Sequence, residues 1–367
     1  MSQESQEPVV VEKSIYRDKL IFGVSILLAV SLLWFFYPSI KSTLQNMVNG
    51  EEVAVPFDDL SGNIYLTLAK SGTTLADLYE FNVGTQELTK TFPSDSSERI
   101  RLTAKLSPDS TKLAFLDTSI DPDSTFYYPS NEWFQMRVID KATGEVSQIT
   151  DTADPSKRLG DWSPDGTKIA YTAQVTDANF ADVDKQDVFY DANQWVVFVV
   201  DVNSKEQKVI DRGTHPFWSP DGKKILYMKS DGLYLYDLSN DTKKIVLPTT
   251  ESFDATTNIK IDVSGDGSLL ALSIPEDRNM YLYKITSWES GIIEDRMTIE
   301  ASGSSIFWPV FSPDSRYIAF QEADTRSGAG AASNARLSVF DLKANSYREL
   351  IKLDGFNFDV AFISDWK

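Results

Sequence analysis

The chain has 367 residues, 42% of them hydrophobic, and a formal net charge of -19. It contains one histidine and no cysteine, which excludes disulfides, thiolate metal sites, cysteine nucleophiles and metal centres built from several histidines. The acidic surplus argues against a nucleic-acid partner, because phosphate binding requires a field of lysine and arginine side chains.

The amino-terminal part of the chain predicts a membrane anchor followed by a stalk. Residues 1–19 are polar and mixed in charge, and we expect a cytoplasmic tail there. Residues 20–37, from Leu20 to Tyr37, carry no charge, and a helix of that length extends about 27 Å, close to a hydrocarbon core of roughly 30 Å. Residues 38–57 are interpreted as the stalk.

The charges around this apolar segment predict its orientation. Lys13, Arg17 and Lys19 precede it, whereas only Lys41 follows closely, so the amino terminus is expected in the cytoplasm. A cleaved signal peptide is the alternative interpretation, but no small-residue cleavage site follows Tyr37. We therefore expect a single-pass protein of the cell membrane whose main domain lies outside the cytoplasm.

A Ser-Pro-Asp motif, or a close variant of it, recurs five times in the rest of the chain. Each copy follows a large apolar residue and precedes a run of branched and aromatic residues, as in Trp218 before the motif and Ile225 after it. Proline and aspartate favour a tight turn at these positions, so the motif predicts two antiparallel strands joined by a turn. The copies start about 45 to 56 residues apart, a period typical of propeller blades with four strands each. The five leading serines are Ser107, Ser163, Ser219, Ser264 and Ser312.

The Trp-Ser-Pro-Asp-Gly pattern followed by Lys, an aliphatic pair and an aromatic residue resembles the WD-like repeat of TolB-type propeller proteins. The resemblance covers about residues 58–366 and implies a β-propeller that serves protein contacts in the bacterial envelope. This chain departs from that family in its apolar anchor and in lacking an evident amino-terminal α/β domain. Relatives of prolyl oligopeptidase share the repeat, but no Gly-x-Ser-x-Gly elbow and no hydrolase-sized domain accompany it here.

The number of repeats predicts six blades. Three strands around Ile64, Leu78 and Leu88 lack a Ser-Pro-Asp turn before them, and residues 359–366 supply a matching apolar strand at the other end of the chain. A propeller closes by completing one blade from both chain ends. We therefore predict an all-β, six-bladed β-propeller of four-stranded antiparallel blades over residues 58–367, its first blade closed by the carboxyl-terminal strand.

Two long insertions are expected on the face opposite the Ser-Pro-Asp turns. Residues 117–134 and 173–195 are rich in aromatic and acidic side chains, and aromatic residues are enriched where proteins bind one another. Their aromatic side chains could instead pack against their own blades, an alternative that the sequence leaves open. The candidate binding rim consists of Phe126, Tyr127, Tyr128, Trp133, Phe180, Phe189 and Tyr190.

The same loops contain weak candidates for a calcium site. Asp121, Asp123, Asp182 and Asp184 supply the oxygen ligands that calcium prefers, but neither pair has a full spaced ligand set. Structural or solvating carboxylates are the preferred interpretation, so no cofactor is expected other than a possible calcium ion.

Two classes of function agree with this sequence. The first is a membrane-anchored scaffold that binds a protein, peptide or glycan outside the membrane. The second is a propeller enzyme, of the lactonase or lyase type, that uses channel carboxylates and a divalent metal. The single histidine, His215, stands just before an innermost strand and is the candidate channel residue, although an entry-loop position with no chemical role is the simpler interpretation.

Overall fold

The computed structural model describes the six-bladed part of the chain with several gaps. Within the described residues every regular element is a strand, and none of them forms a helix long and apolar enough to cross a membrane. The predicted segment 20–37 lies outside them. The described ranges are 60–70, 76–92, 99–119, 134–150, 157–174, 195–248, 259–274, 278–300, 304–324, 333–354 and 356–367.

Across these ranges, twenty-four strands form six antiparallel four-stranded sheets, one for each blade. Blade 1 contains β1 (Asn63–Lys70), β2 (Ala76–Asn82), β3 (Glu87–Lys90) and β24 (Phe356–Trp366). Blade 2 contains β4 (Arg99–Leu106), β5 (Lys112–Ser119), β6 (Gln135–Asp140) and β7 (Val146–Gln148). Blade 3 contains β8 (Lys157–Trp162), β9 (Lys168–Gln174), β10 (Trp195–Asp201) and β11 (Gln207–Arg212).

The second half of the ring repeats the same order. Blade 4 contains β12 (Thr214–Trp218), β13 (Lys224–Lys229), β14 (Gly232–Asp237) and β15 (Thr242–Pro248). Blade 5 contains β16 (Lys260–Val263), β17 (Leu269–Ile274), β18 (Asn279–Ser287) and β19 (Ile292–Glu300). Blade 6 contains β20 (Ser305–Phe311), β21 (Tyr317–Asp324), β22 (Ser333–Asp341) and β23 (Ser346–Lys352).

The ring closes in blade 1, as the sequence predicts. Strand β24 pairs antiparallel with β1, with Ile64 opposite Trp366 and Lys70 opposite Phe356. The innermost strands β24, β4, β8, β12, β16 and β20 contact one another in that cyclic order. Six blades and closure by the carboxyl-terminal strand are therefore confirmed.

The hydrophobic core lies between neighbouring blades, because each second strand is buried on both faces. In blade 2, Phe115 packs toward blade 1 and Leu116 packs toward blade 3. Between blades 6 and 1, the rings of Tyr317 and Trp366 stack with their centroids 6.3 Å apart. Apolar area removed from water at these interfaces holds the ring of blades together.

Each Ser-Pro-Asp turn is held by the same two side-chain hydrogen bonds. The Ser107 hydroxyl donates to Asp109 Oδ1 (2.6 Å) and accepts from the Lys112 amide (2.9 Å). The residue after the aspartate has a positive φ, which explains why glycine occupies it in three of the five copies. The equivalent serine–aspartate bonds occur at Ser163, Ser219, Ser264 and Ser312.

Candidate functional site: the central channel

The six innermost strands line a central channel and all run toward the Ser-Pro-Asp turns. Each strand places one residue in the channel just before the large apolar residue that precedes its turn. We call this set the channel ring. Its members, from blade 1 to blade 6, are Asp365, Lys105, Asp161, Phe217, Asp262 and Val310.

Lys105 crosses the channel at the level of this ring. Its Nζ lies 3.8 Å from Asp262 Oδ1, on the blade opposite, and 3.8 Å from Asp365 Oδ1, on a neighbouring blade. Burial lowers the pKa of Lys105, but the carboxylates of Asp262, Asp365 and Asp161 outweigh it and raise the pKa above its usual value. The lysine therefore remains charged and divides the channel into two spaces.

The ring aspartates also connect neighbouring blades. Asp365 Oδ2 accepts from the Leu106 amide (2.7 Å), and Asp262 Oδ2 accepts from the Phe311 amide (2.8 Å). Burial raises the pKa of Asp262 to about 6, although Lys105 opposes the shift, and burial also raises the pKa of Asp161. These carboxylates are thus held by amides and by a lysine rather than left without partners.

The space on the turn side of Lys105 is a cup of about 300 Å³. Its wall carries the three ring aspartates against two lysines, Lys105 and the exposed Lys367. Tryptophan and phenylalanine side chains form its apolar wall, including Trp162 and Trp218. The prolines of four turns stand exposed around its mouth, namely Pro108, Pro164, Pro220 and Pro313.

Five exposed turn aspartates surround the cup and add to its negative charge. Serine hydroxyls and backbone amides donate to these carboxylates, and such bonds lower the pKa of Asp165 to about 2. The same bonds lower the pKa of Asp109, and that of Asp221 against some burial. The turn face therefore presents negative charge around a cup whose wall combines aromatic and charged side chains. The five residues are Asp109, Asp165, Asp221, Asp266 and Asp314.

The space on the other side of Lys105 is a smaller chamber of about 80 Å³. Each innermost strand contributes to it the residue two positions before its channel-ring residue. His215, the histidine singled out from the sequence, is one of them. The six residues are Thr103, Leu159, His215, Lys260, Trp308 and Ile363.

The other candidate residues cannot be located in this part of the chain. The aromatic rim of residues 126–133 and 180–190 and the four calcium-candidate aspartates lie outside the described residues. Within the described ranges, no group of three or more histidine, aspartate or glutamate side chains has the geometry to hold a metal ion.

The sequence analysis did not predict the cup, although a recurring aspartate in the repeats indicates it. Aspartate recurs in the register position two residues before the Ser-Pro-Asp serine, as at Asp161 and Asp262, and Asp365 aligns with them at the carboxyl end. Lys105 occupies the same register position in blade 2. Aligning the repeats on their serines would have brought these four charges to one level of the channel.

Comparisons with known proteins were made at the level of sequence and of structure. No protein-family model and no curated protein sequence matches this chain. TolB from Acinetobacter baumannii matches the structure with a TM-score of 0.58 and 19% identity, over 84% of this chain and 67% of that chain. The "putative TolB" of Agrobacterium tumefaciens gives a TM-score of 0.53 and 14% identity, over 83% of this chain and 97% of the other. The fold is that of a TolB-like propeller.

An enzyme also occurs among the matches to the TolB-like propeller. Oligogalacturonate lyase in complex with manganese gives a TM-score of 0.45 and 14% identity, over 76% of this chain and 71% of that chain. Such a score is too low to support a shared activity. At these identities the TolB matches establish the fold alone, so function has to be argued from the channel itself.

Proposed function

We propose that this TolB-like propeller is a binding module that captures a basic segment of a partner protein in its turn-face cup. The observation that supports it is the cup itself, a cavity with aromatic walls, three carboxylates inside and exposed aspartates in the five neighbouring turns. A lysine or arginine side chain fits such a site, because its stem packs on aromatic walls while its charge meets the negative potential of the cup and of the turn aspartates near it.

The size of the cup favours a side chain or a short peptide segment over a large metabolite. Ligand cavities usually start at roughly 300 Å³, and the cup has about that volume. The exposed prolines at its mouth give a rigid, apolar rim that loses little conformational freedom when a partner binds. We further propose that residues 20–37 anchor the module in the cell membrane with the propeller outside the cytoplasm.

The enzyme alternative receives less support from this geometry. Acid–base chemistry requires a carboxyl group that can reach a substrate and exchange a proton. In this channel Asp262 and Asp365 each bond a backbone amide and face Lys105, so both are committed to the connection between blades.

A capture experiment tests the proposal. Full-length tagged protein is purified from solubilised membranes, and the proteins that copurify are quantified for the wild type, an Asp161→Asn, Asp365→Asn double variant and a Glu294→Gln control. Asn keeps an oxygen that accepts a hydrogen bond but removes the charge. Glu294 is exposed on the outermost strand of blade 5, far from the channel in the sheet order. We expect the cup variant to capture at least about tenfold less protein than the wild type, because losing one charge contact of ~1.4 kcal/mol weakens binding tenfold. The control should capture as much as the wild type.

The candidate binding rim, which the sequence predicts on the face opposite the turns, is tested as the alternative surface in the same experiment. A variant lacking residues 126–133 removes the aromatic candidates of the first insertion and leaves the cup intact. Loss of capture in this variant, with full capture by the cup variant, would move the binding surface to the opposite face. Equal capture by every variant would reject both surfaces.

A further inference from the structure

The smaller chamber, on the side of Lys105 away from the Ser-Pro-Asp turns, has an unusual backbone. Three of its residues, Thr103, His215 and Trp308, have φ values of 42°, 52° and 52°. Each occurs where the pairing of its strand with the next shifts register. In β12 and β20 the following residue is a proline, which cannot donate to the ladder and so explains the interruption. Residues other than glycine rarely adopt a positive φ. Its repetition in alternate blades around one cavity indicates a functional constraint.

The chamber is also rich in cationic groups. Lys260 is only 7% exposed, and its Nζ lies 4.1 Å from the centre of the Trp308 ring. Among the described residues that line the chamber, two lysines stand against one aspartate, and that aspartate, Asp262, faces Lys105. A small anion entering the chamber would meet an ammonium group held in a fixed position by an aromatic ring.

Polar groups that could bind such an anion line the same chamber. The buried hydroxyl oxygen of Thr103 has no hydrogen-bond partner within the described part of the chain, and such groups in native structures usually mark an absent water or ligand. His215 Nδ1 lies 3.0 Å from Thr214 Oγ1. If the threonine hydroxyl donates to Nδ1, the Nε2–H of the neutral ring is available to donate to a ligand.

The charges around His215 agree with this preference for an anion. Burial, with the positive charges of Lys260 and Arg158, holds the pKa of His215 well below its usual value. Lys105 and Asp262, which face each other, are the other titratable groups of the chamber wall. The same positive potential that keeps a proton off the ring attracts an anionic group.

We propose that the chamber is a second binding site, specific for a carboxylate group held by Lys260, Thr103 and His215. A volume of about 80 Å³ admits a carboxylate with one or two carbon atoms, but it is too small for a whole sugar or a long amino-acid side chain. The carboxylate belongs either to a small free acid or to the end of a longer ligand that enters from the loop face. This site is distinct from the cup, with Lys105 and Asp262 as a wall that the two spaces share.

The single histidine makes the proposal directly testable by NMR. Its ring signals need no assignment, because the chain contains no other histidine. Full-length protein in detergent is titrated with sodium acetate at fixed ionic strength, balanced with sodium chloride. We expect a saturable shift of the His215 ring signals and a rise of its pKa by about one unit at saturation, because a nearby negative charge favours the protonated ring.

Variants separate a site from general screening. Lys260→Met is expected to abolish the saturable shift. Thr103→Val removes one hydrogen bond without changing the charge, and we expect it to weaken acetate binding by about tenfold. Lys208→Met, which removes an exposed lysine of β11, is the matched control and should bind acetate like the wild type. A shift that grows linearly with acetate, or that persists unchanged in folded Lys260→Met and Thr103→Val, would overturn the proposal.

A second probe distinguishes the two sources of the carboxylate. Acetyl-diglycine presents the same group at the end of a short chain, and its carboxamide is the neutral control. Tighter binding than acetate would assign the chamber to the end of an extended ligand, and weaker binding would assign it to a free small acid. Equal effects of acetyl-diglycine and its carboxamide would show that the charge is not recognised, which contradicts the proposed site.

Discussion

The two ends of the propeller channel are built from the same six strands yet have opposite character. On the turn side, the cup collects Asp161, Asp262 and Asp365, whereas the chamber behind it holds Lys260 and a neutral His215. The two levels are separated by two residues along each strand, with Lys105 between them. A propeller can therefore offer two sites of different chemistry on one axis, because alternate residues of a strand form successive rings.

Lys105 keeps these two spaces apart, so its removal should have the largest effect. Lys105→Met leaves Asp161, Asp262 and Asp365 facing one another with only the exposed Lys367 as a counter-charge. We expect the free energy of unfolding at pH 7 to fall by about 3 kcal/mol, measured by urea denaturation. At pH 5 the loss should be smaller, because the buried carboxyl groups can then take up protons.

Lys223→Met is the appropriate control for that experiment. Lys223 Nζ lies 4.0 Å from Asp221, and both side chains are largely exposed, so this pair should contribute little. Equal destabilisation by the two substitutions, or a loss for Lys105→Met that does not depend on pH, would contradict the counter-ion role of Lys105.

A pair of glycine variants tests how tightly the mouth of the cup is packed. Gly166 and Gly267 occupy the same turn position, with φ values of 68° and 70°. A Cβ at Gly166 would meet no atom closer than 3.7 Å, but at Gly267 it would overlap the Pro220 ring. We expect Gly166→Ala to cost about 1 kcal/mol of unfolding free energy through backbone strain, and Gly267→Ala about 2 kcal/mol because Pro220 must also move.

The comparison between these two variants uses their common backbone strain as an internal control. Urea denaturation at one pH suffices to measure both. If Gly166→Ala lowered the unfolding free energy as much as Gly267→Ala, the contact with Pro220 would contribute nothing to it. The mouth of the cup would then be less tightly packed than its geometry indicates.

A third comparison concerns the titration of Asp262. Its pKa in the folded protein is about 6, above the ordinary value of 3.8, so the folded state holds this proton more tightly than the unfolded state. This group therefore stabilises the fold below about pH 4, and that contribution is lost as the pH rises toward 6. Asp262→Asn should remove this loss, which a pKa difference of about two units makes about 2 kcal/mol between pH 4 and pH 7.

The measurement is the difference in unfolding free energy between Asp262→Asn and the wild type at pH 4 and pH 7. The difference should become more favourable to the variant at the higher pH, because only the wild type then carries the buried charge. A constant difference would show that Asp262 does not titrate in this range and that the cup is better solvated than its burial indicates.

Much of the fold could be predicted because its determinants are local and repeated. The five Ser-Pro-Asp turns, each with a serine that bonds its own aspartate, mark the innermost strand of five blades. The apolar strand that ends at Trp366 completes the sixth. The sequence could not predict the chamber in the same way, because the register shifts at Thr103, His215 and Trp308 follow no repeated motif beyond two prolines.

By itself, the sequence determined the number of blades, their order and the closure of the ring, since turn chemistry and strand periodicity act over a few residues. Only the tertiary structure decided that Lys105 of blade 2 meets Asp262 of blade 5, and that three aspartates share one cup. The physical reason is that charge pairing across a channel depends on distance in space. Residues far apart in the chain acquire their electrostatic environment only when all six strands converge.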